Sequence, residues 1–79
     1  MKNRSNVRDR SSPHQVVSEI ETLVRNRLPG RVGDFRVEVR ERGIVLRGYT
    51  RSYYAKQLVQ HAALEVSKLP LVANEILVL

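Results

Sequence analysis

The residues best suited to bind a ligand lie between positions 47 and 54, where basic and aromatic side chains alternate. The stretch joins the end of a predicted strand to the start of a predicted helix, whose free N–H groups and dipole favour anions. Arginine can grip phosphate bidentately, and tyrosine suits a lipid interface or a nucleic-acid backbone. Alternatively, the tyrosines cap the core edge and the arginines stay solvated. The candidates for anion or lipid binding are Arg47, Tyr49, Arg51, Tyr53 and Tyr54.

A second group of basic residues lies at the amino-terminal end. This segment has four basic residues and one acidic residue, so it carries +3 of the net charge of +6. The residues are Lys2, Arg4, Arg8, Arg10 and Asp9. The segment contains almost no apolar residue that could join a core. The composition predicts a disordered basic arm over residues 1–11, which either binds a polyanion or is an idle tail.

Catalysis is not expected from this composition. No serine nucleophile has a base at a recognisable spacing, and no glycine-rich loop could cradle phosphate. The chain has no cysteine, and its two histidines, His14 and His61, have no ligand-like spacing with carboxylates. We therefore expect neither an enzyme nor a bound metal or cofactor.

The amino-terminal segment does not resemble an export signal. Its basic residues are not followed by an apolar stretch of the required length, and no run of residues is long and apolar enough to span a bilayer. The sequence predicts a cytoplasmic chain, either free or peripherally attached to a membrane.

The pattern of apolar residues predicts the order αββαβ. Apolar residues recur at helical spacing from Val16 to Leu28, where Pro29 and Gly30 end the first helix. Two alternating segments around the turn at residues 41–43 predict a β-hairpin, and a second apolar helical stripe covers residues 52–69. A last strand is predicted over residues 71–79. The fold class is a two-layer α/β (α+β) domain, with two helices on one face of a three-stranded mixed sheet.

Gly48 is predicted to be critical for this fold. It falls on the inward face of the second strand, where the small residues Ala62 and Ala63 of the second helix would cross it. The opposite face would stay open, with Leu77 and Leu79 exposed if Asn74 and Ile76 point inward; a register slip of one residue would bury both leucines instead. Such a face would suit a protein partner or a homodimer. Its expected residues are Arg36, Glu38, Arg40, Val45, Arg47, Tyr49, Leu77 and Leu79.

Two short motifs in this order resemble the BON domain family. One is Ile44-Val45-Leu46-Arg47-Gly48-Tyr49-Thr50, and the other is Val72-Ala73-Asn74-Glu75-Ile76-Leu77-Val78. Between them, small residues stand where the family places those of its second helix. The resemblance covers residues 16–79, and the BON-like domain is predicted to span residues 12–79. It implies a non-catalytic attachment module that engages phospholipid or envelope-associated protein.

Two other binding functions are compatible with the same residues. A charge of +6 with an arginine-rich arm would also serve a nucleic-acid-binding module. A scaffold that only pairs with other proteins, including a second copy of itself, needs no charge. Aromatic placement favours anionic phospholipid over RNA, because only Tyr49 would stand on the open sheet face, where bases stack.

Overall fold

The computed structural model describes residues 13–79, so the predicted arm of residues 1–11 lies outside the described part. The elements are α1 (Pro13–Arg27), β1 (Gly33–Arg40), β2 (Gly43–Thr50), α2 (Tyr53–Val66), β3 (Leu71–Asn74) and β4 (Leu77–Val78). β2 is central: it pairs antiparallel with β1 and parallel with both β3 and β4. The predicted two-layer arrangement of two helices and a mixed sheet is confirmed.

α1 buries one apolar stripe against the sheet. Val16, Ile20, Val24 and Leu28 recur every four residues and are all buried, as the helical spacing predicts. The helix ends at Arg27 because Pro29 cannot continue it, and Gly30 takes the left-handed conformation (φ 72°) common after a helix C-terminus.

β1 and β2 form the predicted hairpin around Glu41 and Arg42. Val37 lies opposite Leu46, and Glu38 lies opposite Val45. Val37 and Leu46 face the helices and are buried. The alternation of apolar and charged residues therefore predicts the two sheet faces correctly along β1.

A β-bulge interrupts the hairpin near its open end. Gly33 pairs with Tyr49 and Arg36 with Arg47, so β1 holds one residue more than β2, and Asp34 adopts a left-handed φ of 47°. Gly48 lies beside the bulge with φ 145°, and a methyl group there would come within 2.8 Å of the Gly33 carbonyl oxygen.

The predicted position of Gly48 beneath Ala62 and Ala63 is therefore wrong. The atoms that crowd Gly48 belong to the backbone of β1, because the bulge brings that strand close. Ala62 and Ala63 are buried within the core itself.

α2 is shorter than the predicted helix over residues 52–69. Ser52 is its N-cap, and its Oγ accepts a hydrogen bond from the Ala55 N–H at 3.1 Å. At the other end, the Ser67 hydroxyl donates a hydrogen bond to the Leu69 carbonyl at 2.8 Å and accepts one from the Leu69 N–H at 3.0 Å. These bonds satisfy the Leu69 backbone without another helical turn. Leu69 still packs against the core from the loop.

The predicted last strand is divided into β3 and β4. The break follows Asn74, whose Oδ1 accepts a hydrogen bond from the Ile76 N–H at 3.2 Å. Its Nδ2 donates to Gln60 Oε1 at 3.1 Å and to the Lys56 carbonyl at 3.4 Å, so Asn74 points toward α2. Ile76 is buried, whereas Leu77 and Leu79 are 65% and 74% exposed. The register that exposes both leucines is confirmed.

The core lies between the helices and the inner sheet face. It comprises Val16, Ile20, Val24, Leu28, Val37, Ile44, Leu46, Val59, Ala62, Ala63 and Ile76. On the outer face, the prediction that Val45 is exposed is wrong, because this residue is only 2% exposed. Val45 occupies the central strand between Glu38 and Ala73, where neighbouring side chains cover it.

Candidate anion-binding site

A cleft of about 440 Å³ opens where β2 passes into α2. One wall is the loop from Pro29 to Val32, which leads from α1 into β1. The opposite wall is the end of β2 and the first turn of α2. Because β1 and β2 are antiparallel, the start of β1 lies beside the end of β2. The residues that line the cleft are Pro29, Gly30, Arg31, Val32, Gly33, Tyr49, Thr50, Arg51, Ser52 and Ala55.

Two arginines from different parts of the chain meet at this cleft. Arg31 comes from the loop after α1, and Arg51 comes from the link between β2 and α2. Both are exposed, and within residues 13–79 neither forms an ion pair. Each guanidinium therefore keeps all its donors for an external anion.

The amino-terminal end of α2 adds to the positive potential of the cleft. No acidic residue lies in its first turn, and the Ser52 hydroxyl caps the N–H of Ala55. Thr50, buried beneath this corner, donates from Oγ1 to the Ser52 carbonyl at 3.0 Å. The bond holds the link through Arg51 in a fixed path.

The three predicted tyrosines occupy different positions. The ring of Tyr49 lies on Gly33 and forms part of the cleft wall. Tyr53 and Tyr54 do not line the cleft; they are 70% and 68% exposed on the first turn of α2. Lys56 Nζ lies 6.0 Å from the centre of the Tyr53 ring, at the outer limit of a cation–π contact. Two aromatic rings thus project into solvent beside the basic cleft.

Arg47 is not brought into the cleft. It stands on the outer sheet face, with Nε 2.9 Å from Glu38 and a terminal nitrogen 3.0 Å from Glu75. Arg40 also donates a hydrogen bond to Glu38 at 2.7 Å, and the two guanidinium groups lower the pKa of Glu38, with Arg40 the larger cause. Because two carboxylates already hold Arg47, it is not available to an external anion as Arg31 and Arg51 are.

Arg31 is a residue of the cleft that was not predicted from the sequence. It precedes Arg47 by sixteen positions, so a search for dense clusters along the chain does not find it. The register of the hairpin indicates the position of Arg31. Since Gly33 pairs with Tyr49, residues just before Gly33 must lie beside residues just after Tyr49.

Two other classes of site are absent from the part of the chain that the structure describes. Among residues 13–79, no three metal-ligating side chains lie together. No helix in this range has the length and apolar character needed to cross a membrane.

Comparison with known proteins gives one match. The chain matches the family model described as the BON domain over residues 17–79. No curated protein and no solved structure matches it. BON domains are binding modules rather than known catalysts, and they are often associated with phospholipid or the cell envelope. Since the match covers 63 of the 79 residues, the chain belongs to the BON domain family.

Proposed function

We propose that this protein is an attachment module that binds anionic phospholipid surfaces through the cleft at the start of α2. The observation that carries the proposal is the meeting in one cleft of Arg31 and Arg51, neither of which forms an ion pair with another residue of the range 13–79. The exposed rings of Tyr53 and Tyr54 stand beside it. Arginine supplies donors for lipid phosphate, and tyrosine favours the depth of the headgroups.

The exposed apolar surface near the cleft is modest, so electrostatics should dominate the binding. Each basic residue near an anionic membrane contributes about 1 kcal/mol, and salt screens the attraction over about 8 Å at physiological ionic strength. We therefore expect weak binding to vesicles that contain phosphatidylglycerol and little binding to pure phosphatidylcholine. The affinity should fall steeply between low and physiological salt.

Vesicle co-sedimentation with matched charge variants tests the site. Arg31→Glu with Arg51→Glu should reduce binding to the anionic vesicles by about tenfold or more. The matched control is Arg42→Glu with Lys68→Glu, which changes the net charge equally. These two exposed residues lie in the hairpin turn and after α2, away from the cleft. If both pairs weaken binding equally, the surface acts only through its total charge and the cleft is not a site.

Vesicle binding by the chain without its basic arm provides a second comparison. Removing residues 1–11 lowers the net charge from +6 to +3, because four basic residues and one acidic residue are lost. Binding should weaken several-fold but keep its dependence on Arg31 and Arg51. Complete loss would assign the binding to the arm.

Nucleic acid is the competing ligand, since its backbone presents the same phosphate chemistry. Mobility-shift measurements with single-stranded and duplex DNA and RNA at the same two salt concentrations separate the two functions. Tight nucleic-acid binding that is lost in Arg31→Glu with Arg51→Glu, without any preference for anionic vesicles, would replace the lipid proposal.

A further inference from the structure

The outer sheet face ends in a group of apolar side chains beside the cleft. Tyr49 follows Arg47 by two positions and therefore shares the outer face with it. Leu77 is the register partner of Tyr49 across β2 and β4, and Leu79 stands two positions further along the same face. All three side chains are exposed, the two leucines more than the tyrosine. Tyr49, Leu77 and Leu79 are called the apolar patch below.

The apolar patch is continuous with the cleft that holds Arg31 and Arg51. Tyr49 belongs to both, because its ring also forms part of the cleft wall. On the other side of β2, the Leu79 N–H donates a hydrogen bond at 2.9 Å to the carbonyl of Thr50, the residue before Arg51. A surface that places lipid phosphate on the two arginines therefore brings the leucines to the same membrane.

Two carboxylates on the outer face are held by arginines of the same chain. Glu38 contacts Arg40 and Arg47, and Glu75 contacts Arg47. Neither carboxylate therefore presents an uncompensated negative charge to an anionic surface. On the cleft side of the apolar patch, by contrast, the two cleft arginines form no ion pair within residues 13–79. An apolar surface beside unpaired cations suits an anionic bilayer.

We propose that the apolar patch enters an anionic bilayer when the cleft binds lipid, which rests on the function proposed above. Arg31 and Arg51 hold lipid phosphate, while Leu77 and Leu79 lie at the boundary between headgroups and acyl chains. Tyr49 lies between them at the level of the headgroups, where tyrosine is favoured. The domain is thus bound by its end, with the carboxyl end of β2 toward the membrane.

A single tryptophan reports the depth of the apolar patch, because the chain has no tryptophan of its own. On vesicles that contain phosphatidylglycerol, the emission of Leu79→Trp should shift to the blue and be quenched by lipids brominated on their acyl chains. Leu64→Trp is the matched control, since Leu64 is an exposed leucine near the other end of α2. It should bind the same vesicles with unchanged emission and no quenching. Circular dichroism checks that both variants are folded.

The contribution of the leucines to affinity is tested by Leu77→Ser with Leu79→Ser in vesicle co-sedimentation. Binding should weaken about fivefold, because apolar surface that would leave water is removed. The factor should be the same at low and physiological salt, since salt screens charges and not apolar transfer. Arg31→Glu with Arg51→Glu should instead flatten the salt dependence. Both leucines are mostly exposed, so the serine variant should remain folded, which circular dichroism checks.

Loss of insertion and loss of lipid binding give different results. A wild type that does not co-sediment with the anionic vesicles overturns both proposals. Co-sedimentation that depends on Arg31 and Arg51, with Leu79→Trp neither shifted nor quenched, overturns insertion alone and leaves the apolar patch to a protein partner. Equal quenching of Leu79→Trp and Leu64→Trp, or undiminished binding of Leu77→Ser with Leu79→Ser, also overturns insertion.

Discussion

The ring of Tyr49 lies directly over the α-carbon of Gly33, its register partner across β1 and β2. A methyl group at Gly33 would overlap the aromatic ring. Glycine leaves the backbone uncovered in a strand, and a cross-strand aromatic residue can cover it. Tyr49 therefore stabilises the bulged end of the hairpin as well as lining the cleft.

Tyr49→Ala should lower the free energy of unfolding by about 1 kcal/mol, because it uncovers Gly33. Tyr49→Phe keeps the ring and should be close to the wild type. Tyr53→Ala is the control, since that ring is 70% exposed and should not affect stability. Urea unfolding compares the three variants. Equal stability of Tyr49→Ala and the wild type would show that the ring covers nothing of consequence.

Gly48→Ala should destabilise the fold by about 1–3 kcal/mol, and Gly48→Leu by at least as much. The added carbon would strain a φ of 145° and meet the Gly33 carbonyl oxygen. Gly30→Ala is the milder comparison, because its φ of 72° lies in the left-handed region that other residues can adopt and nothing lies within 4 Å of an added methyl group. Its cost should be about 1 kcal/mol. Urea unfolding of both variants gives the difference, and equal losses would contradict the strain and crowding assigned to Gly48.

Stability should decrease on acidification through Glu38 and Glu65. The hydrogen bond from Arg40 and the ion pair with Arg47 lower the pKa of Glu38, and a hydrogen bond from Arg27 at 2.7 Å lowers that of Glu65. A lowered pKa in the folded state means that the stabilisation is fully present above the ordinary glutamate pKa. It is lost as the pH falls through the folded-state value.

Urea unfolding measured from neutral to acidic pH checks this expectation. Glu38→Gln with Glu65→Gln should reduce the acid-dependent loss of stability, and high salt should reduce it in the wild type, because all these groups are partly exposed. Glu41→Gln is the control: Glu41 is an exposed carboxylate without an ion pair within residues 13–79. If stability falls on acidification as much in Glu38→Gln with Glu65→Gln as in the wild type, the loss is not due to these two carboxylates.

Asn74→Ala should cost about 1–2 kcal/mol, since it removes three hydrogen bonds that fix the break between β3 and β4 against α2. Gln60→Ala removes only the 3.1 Å bond from Asn74 and should cost less. Thermal unfolding of the two variants measures the difference. If Gln60→Ala were as damaging, the bonds of Asn74 to the Lys56 carbonyl and the Ile76 N–H would contribute nothing.

Periodicity predicts the parts of this fold that are decided by burial. The apolar stripe from Val16 to Leu28 allows only one face of α1 to be buried, and the alternation along β1 allows only one face of that strand to be buried. The helices and the hairpin therefore follow from the order of apolar residues. The exposed positions of Leu77 and Leu79 follow in the same way from an inward Ile76.

Contacts between distant segments were not predictable from periodicity. The bulge at Asp34 depends on how the strand enters the sheet, and it moved the close approach at Gly48 from α2 to β1. The partners of Arg47 come from β1 and from the link between β3 and β4, so its ion pairs require the register of all three segments. Arg31 joins the cleft for the same reason.

The parallel pairing of β3 and β4 with β2 sets the order in which the sheet can be completed. β1 and β2 are joined by a two-residue turn, so their pairing is local and closes quickly. β3 and β4 reach β2 only after α2 has crossed the sheet. During synthesis on the ribosome, the chain would therefore hold an unfinished sheet, with one side of β2 unpaired, until residues 71–79 had left the exit tunnel.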